Sequence, residues 1–111
     1  MPEGIKNDQE KVRTDLLPPE FCLAVSEILT FGAKKYADEN WRAGISYKRV
    51  IGAVLRHLYT WMVGKDNDNE SGKSHLWHAA CNLCFLITYE EHRELYSKFD
   101  DRWKYEDIHK P

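Results

Sequence analysis

Residues 66–82 concentrate the groups in this chain that can do chemistry. Asp66, Asp68 and Glu70 are carboxylates in a polar loop, and His75, His78 and Asn82 follow directly. Residues three and four apart are neighbours on a helix, so the two imidazoles and the amide share one stripe. Oxygen-rich carboxylates favour a hard cation such as Mg²⁺, and groups beside them orient water and ligands. Cations suited to phosphate oxygens sit elsewhere, at Lys34, Lys35, Arg42 and Arg56. Trp41, between Asn40 and Arg42, offers a wall for a flat ring. Together these describe a nucleotide-phosphate site. Each part also has an ordinary reading. Lys34 and Lys35 suit the negative end of a helix dipole. Arg56 fits a surface ion pair, which contributes little. Trp41 fits a core edge, and the polar stripe fits a closed hydrogen-bond network.

Helices must position these groups. Asp15-Leu16-Leu17 before Pro18-Pro19 signals a helix start with proline in its first turn. The first helix is expected over residues 19–36, where Phe21, Cys22, Val25, Ile28, Leu29 and Ala33 keep helical spacing. Residues 37–46 read as a loop. The second helix, residues 47–63, puts Val50, Val54, His57 and Trp61 on one side and Arg49, Ala53, Arg56 and Thr60 on a neighbouring stripe. His57 therefore reads as a core histidine. Gly64 ends this helix. Gly72 permits a sharp turn and Ser74 caps the third helix, residues 75–96. That helix is apolar on nearly every face from Leu76 to Tyr89, which predicts a buried central helix whose polar last turns extend past the core.

Glu27 is the central acid of the first helix, flanked by Leu23, Ala24, Ile28 and Phe31. An acid there is costly unless it meets a cation or a donor. Packing the first helix on the third would bring Glu27 to the histidine stripe. Glu27, Asp68 and Glu70 are thus the expected metal ligands for Mg²⁺ (or Mn²⁺). His75, His78 and Asn82 are the expected catalytic or ligand-orienting groups.

The chain of 111 residues predicts one domain: an all-α bundle of three long helices, with a mobile arm over 1–14, a helical core over 15–96 and a tail over 97–111. The tail reads as either a short helix or a strap on a neighbouring subunit. A net charge of −2 gives no broad basic footprint for a nucleic acid polymer. No apolar run reaches the ~20 residues that span a membrane, and no signal peptide opens the chain. Three cysteines, an odd number, suggest reduced thiols in a cytoplasmic protein. Cys81 and Cys84 have CxxC spacing, and His75 and His78 extend it. On one helix each step of three turns by about −60°, so four such residues do not converge on one zinc ion. Four tryptophans and six tyrosines on three helices leave apolar surface for a homo-oligomer.

Phe31-Gly32-Ala33-Lys34-Lys35-Tyr36, Asn40-Trp41-Arg42, Arg56-His57-Leu58, Glu70-Ser71-Gly72 and the run from His75 to Asn82 come in a familiar order. Over residues 16–89 the chain resembles the phage-type dATP/dGTP diphosphohydrolase N-terminal family. The resemblance implies a small helical, phage-encoded protein acting in the host cytoplasm. It implies that a purine deoxynucleoside triphosphate, dGTP or dATP, is cleaved between its α- and β-phosphates to monophosphate and pyrophosphate. It also implies a role in nucleotide pools, including supply of dGMP where a phage makes a modified purine. On this reading Lys34, Lys35, Asn40, Trp41, Arg42 and Arg56 bind substrate. A wider similarity is to MazG-like all-α pyrophosphohydrolases, which collect Mg²⁺ with a Glu-Glu-x-x-Glu helix and a later Glu-x-x-Asp helix. Here Glu27 stands as the central acid of the first helix, and His78 and Asn82 stand where acids are expected in the third. Either the metal is held differently or catalysis is weakened. The alternative function is a non-catalytic phage accessory protein that binds nucleotide or a host partner.

Overall fold

Three local signals start the three main helices where the sequence expects them. In the computed structural model, which describes residues 3–109, α1 spans Pro19–Lys35, α2 Tyr47–Met62 and α3 His75–Glu91. Proline opens α1, where its missing N–H has no helical partner to lose. Ser74 Oγ accepts the Leu76 N–H at 3.1 Å and caps α3. Ser46 caps α2 by accepting the Arg49 N–H at 3.3 Å, and its own hydroxyl donates to Asp101 at 2.5 Å. The other Asp101 oxygen accepts the Lys48 N–H at 2.9 Å.

The fold is all-α. Three long helices with a short last segment is an incomplete description, because short helical pieces join them. These are α4 (Arg93–Tyr96), α5 (Tyr105–Ile108) and 3-10 turns at Thr14–Leu16, Asn40–Ala43 and Ser97–Phe99. Among the described residues no strand forms beyond one isolated bridge between Asn67 and Ser74. Among the described residues no helix is long and apolar enough to cross a membrane.

Two expectations for the third helix are corrected. It does not run unbroken to residue 96. His92, at φ −122° and ψ 55°, leaves the helical region and breaks it. The break turns α4 back, so the Tyr96 ring packs at a tilt against Tyr89 with centroids 4.5 Å apart and lies buried. The last turns thus return to the core instead of passing beyond it. Nor is α3 buried on every side. Leu76, Leu83 and Ile87 are 39%, 41% and 59% exposed, so one apolar face of this helix meets solvent.

Helix α3 packs mainly on α2 and less on α1. Each contact has its own core cluster. Tyr47, Val50, Tyr89 and Tyr96 fill the α2 side, and Val25, Ile28 and Cys81 fill the α1 side. Burial raises the Cys81 thiol to about 12, so it stays protonated. Because α1 and α2 lean on α3 separately, a cleft opens between them with α3 as its floor. The 37–46 connection crosses one side of this cleft. It turns at Gly44, whose φ of +104° is a region that L side chains avoid.

Candidate functional site

The loop between α2 and α3 is folded to present Asp68. The Asp68 N–H donates to the Lys73 carbonyl and the Gly72 N–H donates to the Asp68 carbonyl, both at 2.8 Å. The positive φ of Gly72, 71°, allows that tight return. Asp68 Oδ2 then accepts the Ser71 N–H at 2.9 Å, and the side chain sits half-buried at the start of α3. Ser71 Oγ pairs with His78 Nε2 at 2.6 Å, and the same nitrogen lies 3.7 Å from Asp68.

Helix α2 contributes His57 to this cluster. His57 Nδ1 lies 2.9 Å from His75 Nδ1, and its ring stacks on His78 with centroids 4.7 Å apart and planes 13° off parallel. Ligand atoms of His57, Asp68 and His75 all lie within 4.8 Å of one another. Burial lowers the His57 pKa, and its neighbours His78 and His75 push it the same way. Burial also lowers His78, against the pull of Asp68. Both rings are therefore neutral at pH 7 and keep a lone pair. Burial opposes ionisation of Asp68, but the Ser71 N–H and hydroxyl and the nearby imidazoles outweigh it, and its pKa falls below the ordinary value.

The cluster borders the cleft, which has a volume of about 1120 Å³. Lys35, Asn40, Trp41, Arg42, Arg56, Asp68, Glu70, His78 and Asn82 all line it, as the sequence reading requires of a common site. Glu27, Lys34 and His75 are not part of its wall. His75 lies buried behind it, against His57. Lys34 is exposed on the last turn of α1. Asn82 donates to the His78 carbonyl at 2.9 Å.

Glu27, Glu70, Lys35 and Arg42, all expected site groups, are already paired. Glu70 pairs with Lys35 at 2.5 Å, and Glu27 pairs with Lys73 at 3.3 Å. Arg42 pairs with Glu39 at 3.0 Å, and its guanidinium lies over the Trp41 ring, 4.7 Å from the centroid. Trp41 in turn stacks on Phe85, 4.7 Å between centroids. Arg49 and Arg56 differ from these. Both line the cleft, and neither has an ion pair or side-chain hydrogen bond among the described residues.

Two tyrosine hydroxyls hold the Asn40-Trp41-Arg42 turn in place. Tyr89 donates to the Trp41 carbonyl at 2.5 Å, and Tyr96 donates to the Arg42 carbonyl at 2.7 Å. Tyr89 is fully buried, which raises its pKa to about 12 and keeps it a donor. Tyr89→Phe removes this bond, leaving the Trp41 carbonyl with only the Gly44 N–H at 3.1 Å, and is expected to cost about 0.5–1.5 kcal/mol. Urea denaturation would measure the loss, and an unchanged midpoint would contradict this role of the hydroxyl.

The structure brings Asp68 close to His57 and His75, while Glu70 lines the same cleft and Glu27 does not. His57, read as a core histidine, is half-buried and satisfied by its pairing with His75. Its clue in the sequence is an imidazole on the otherwise apolar stripe of Val50, Val54 and Trp61. Arg49 is the second residue missed, and its clue is its place on the Arg56 stripe, seven residues earlier. The chemistry of the His57, Asp68 and His75 group bears on which ion would suit it. Mg²⁺ prefers all-oxygen surroundings, whereas imidazole suits first-row transition ions. Two imidazoles and one carboxylate do not fit Mg²⁺ held by glutamates, and those glutamates are paired with lysines.

Comparison with known proteins adds an independent line. A family model described as dATP/dGTP diphosphohydrolase, N-terminal, matches residues 2–102. A curated protein of Salmonella phage PMBT28, described as a dATP/dGTP diphosphohydrolase, is 36% identical over 100 residues. That match covers 90% of this chain and 33% of the phage protein, so the chain spans about a third of its relative's length. No solved structure matches the chain.

Proposed function

We propose, since this chain belongs to the dATP/dGTP diphosphohydrolase N-terminal family, that it hydrolyses a purine deoxynucleoside triphosphate to monophosphate and pyrophosphate with the help of a divalent metal ion. The observation that carries this reading is the pair Arg49 and Arg56. Two guanidiniums without a counter-charge stand on the wall of a cleft that also holds the His57–Asp68–His78 cluster. Guanidinium forks match phosphate oxygens, and a triphosphate supplies the missing negative charge. Lys35 can join them by exchanging Glu70 for phosphate. Trp41 and Phe85 line the same cleft and offer a flat apolar wall for the base. His78 is neutral and borders the cleft, so it is suited to take a proton from attacking water. Asn82 steadies that turn of α3 through the His78 carbonyl. A bound metal ion would supply charge neutralisation and a more acidic water.

The test is product analysis with each deoxynucleoside triphosphate, in Mg²⁺ and separately in Mn²⁺. Monophosphate plus pyrophosphate from dGTP or dATP is the expected result. Release of nucleoside and triphosphate, or tight nucleotide binding with no turnover, would overturn it. The second outcome would favour a non-catalytic accessory role, which the lysine-paired Glu27 and Glu70 also suit.

The protein is also expected to work as a homo-oligomer. Its radius of gyration is 18.2 Å, against about 13 Å for a compact chain of this length. Leu83, Ile87, Trp61 and Met62 are exposed, and apolar surface of this kind marks a contact. Light scattering at micromolar concentration should show a dimer or larger species. A monodisperse monomer would contradict it.

A further inference from the structure

We propose that His57 Nδ1, His75 Nδ1 and an Asp68 carboxylate oxygen bind one first-row transition-metal dication, such as Mn²⁺, Fe²⁺, Co²⁺ or Zn²⁺. This deepens the proposed hydrolase reading, on which it rests only in placing the ion beside substrate phosphates.

Three separate segments, α2, the loop after it and α3, supply the groups, and their ligand atoms converge within 4.8 Å. Convergence from several segments is what the CxxC run on α3 lacks. The spacing suits coordination. Bonds of about 2.0–2.2 Å at right angles place two nitrogens about 3 Å apart, and the two Nδ1 atoms are 2.9 Å apart. Two imidazoles and one carboxylate on one side of an ion leave its other positions open for water or substrate. Those positions fall toward the cleft, because His57 and Asp68 both line it.

The surroundings support the same assignment. Ser71 donates its N–H to Asp68, which keeps the carboxylate ionised and fixes its direction. His78 stacks on His57 and lies 3.7 Å from Asp68, so it is a positioning residue here and not a fourth ligand. The rival arrangement is a hydrogen bond from one Nδ1–H to the other Nδ1, with no ion. That arrangement fixes one proton between the rings and leaves Asp68 with only its loop contacts to Ser71 and His78.

Metal binding is measured without nucleotide, so it does not depend on turnover. The metal-stripped protein is titrated with Mn²⁺, Co²⁺ and Zn²⁺ by calorimetry, and Co²⁺ is also followed by its visible absorption. One ion per chain is expected. Asp68→Asn and His57→Gln, each checked for an unchanged helical spectrum, should weaken binding at least about 100-fold. Glu27→Gln and Glu70→Gln should leave it within threefold. No binding to the wild type, binding that survives Asp68→Asn, or binding lost with Glu27 and Glu70 would each overturn the site. Turnover in a wild type that binds no transition ion would sink the site and leave the hydrolase reading standing. Binding with the expected mutant pattern, in a protein that cleaves no nucleotide, would uphold the site and remove the hydrolase reading.

Discussion

Gly44→Ala is expected to destabilise the protein by about 3 kcal/mol or more, the largest loss from adding a methyl group at any of the six glycines. Two costs combine. The backbone at Gly44 has φ +104°, and holding a non-glycine residue in such a region costs about 1–3 kcal/mol. The new Cβ would also lie 2.1 Å from the Phe99 ring, far inside contact distance. Phe99 packs on the cluster of Tyr47, Tyr89 and Tyr96, so its ring cannot move without disturbing that core. Overpacking of this kind costs a further 1–3 kcal/mol or so. Urea denaturation of Gly44→Ala, Phe99→Ala and the double variant separates the two parts. The double variant should lose less than the sum of the singles, because removing the ring relieves the clash and leaves the backbone strain. Strict additivity would mean that Gly44 and Phe99 do not meet.

Replacing Arg49 and Arg56 together by alanine should lower kcat/KM for the nucleotide by about 100-fold or more. Hydrogen bonds to charged groups contribute about 1.5–3 kcal/mol each, and two guanidiniums are removed. Stability should hardly change, within about 0.5 kcal/mol, because both side chains are exposed and neither has a partner to lose. The split between kinetics and stability is the point of the measurement. A double variant with normal kinetics would move the phosphate site elsewhere in the cleft. A variant that melts early and binds normally would make these arginines structural. Lys35→Ala should show a smaller effect, since its ammonium already has Glu70 as a partner in the free protein.

Local signals explain which parts of this structure are legible in the sequence. Pro19 and Ser74 announce their helices because a first-turn proline and a cap act within one turn. The all-α class follows from the spacing of apolar residues. The cleft residues Lys35, Trp41, Arg56, Asp68 and His78 are legible as chemical types in order along the chain. Their partners are not, because partners depend on how one helix registers against another. His57 meets His75 only through the packing of α2 on α3. Glu27 appears in the sequence to be an acid among apolar residues. In the fold Leu23 is exposed, so that face of α1 meets solvent and Glu27 reaches Lys73 instead of a core cation. The His92 break has no glycine or proline to announce it. It follows from the burial of Tyr96 against Tyr89, a contact between two segments.

The capping of α2 bears on how the protein is made. Ser46 and Lys48 are synthesised more than fifty residues before Asp101, the carboxylate that completes their hydrogen bonds. A ribosome releases the chain from its N-terminal side first. While residues 47–96 are leaving the exit tunnel, the start of α2 has only Ser46 to cover its free N–H groups. The turn at Gly44 likewise lacks Phe99 beside it. The nascent chain therefore forms its helices before it can seal the corner that carries Trp41 and Arg42. The contacts of Phe99 and Asp101 can close that corner only after residues 99–101 have emerged.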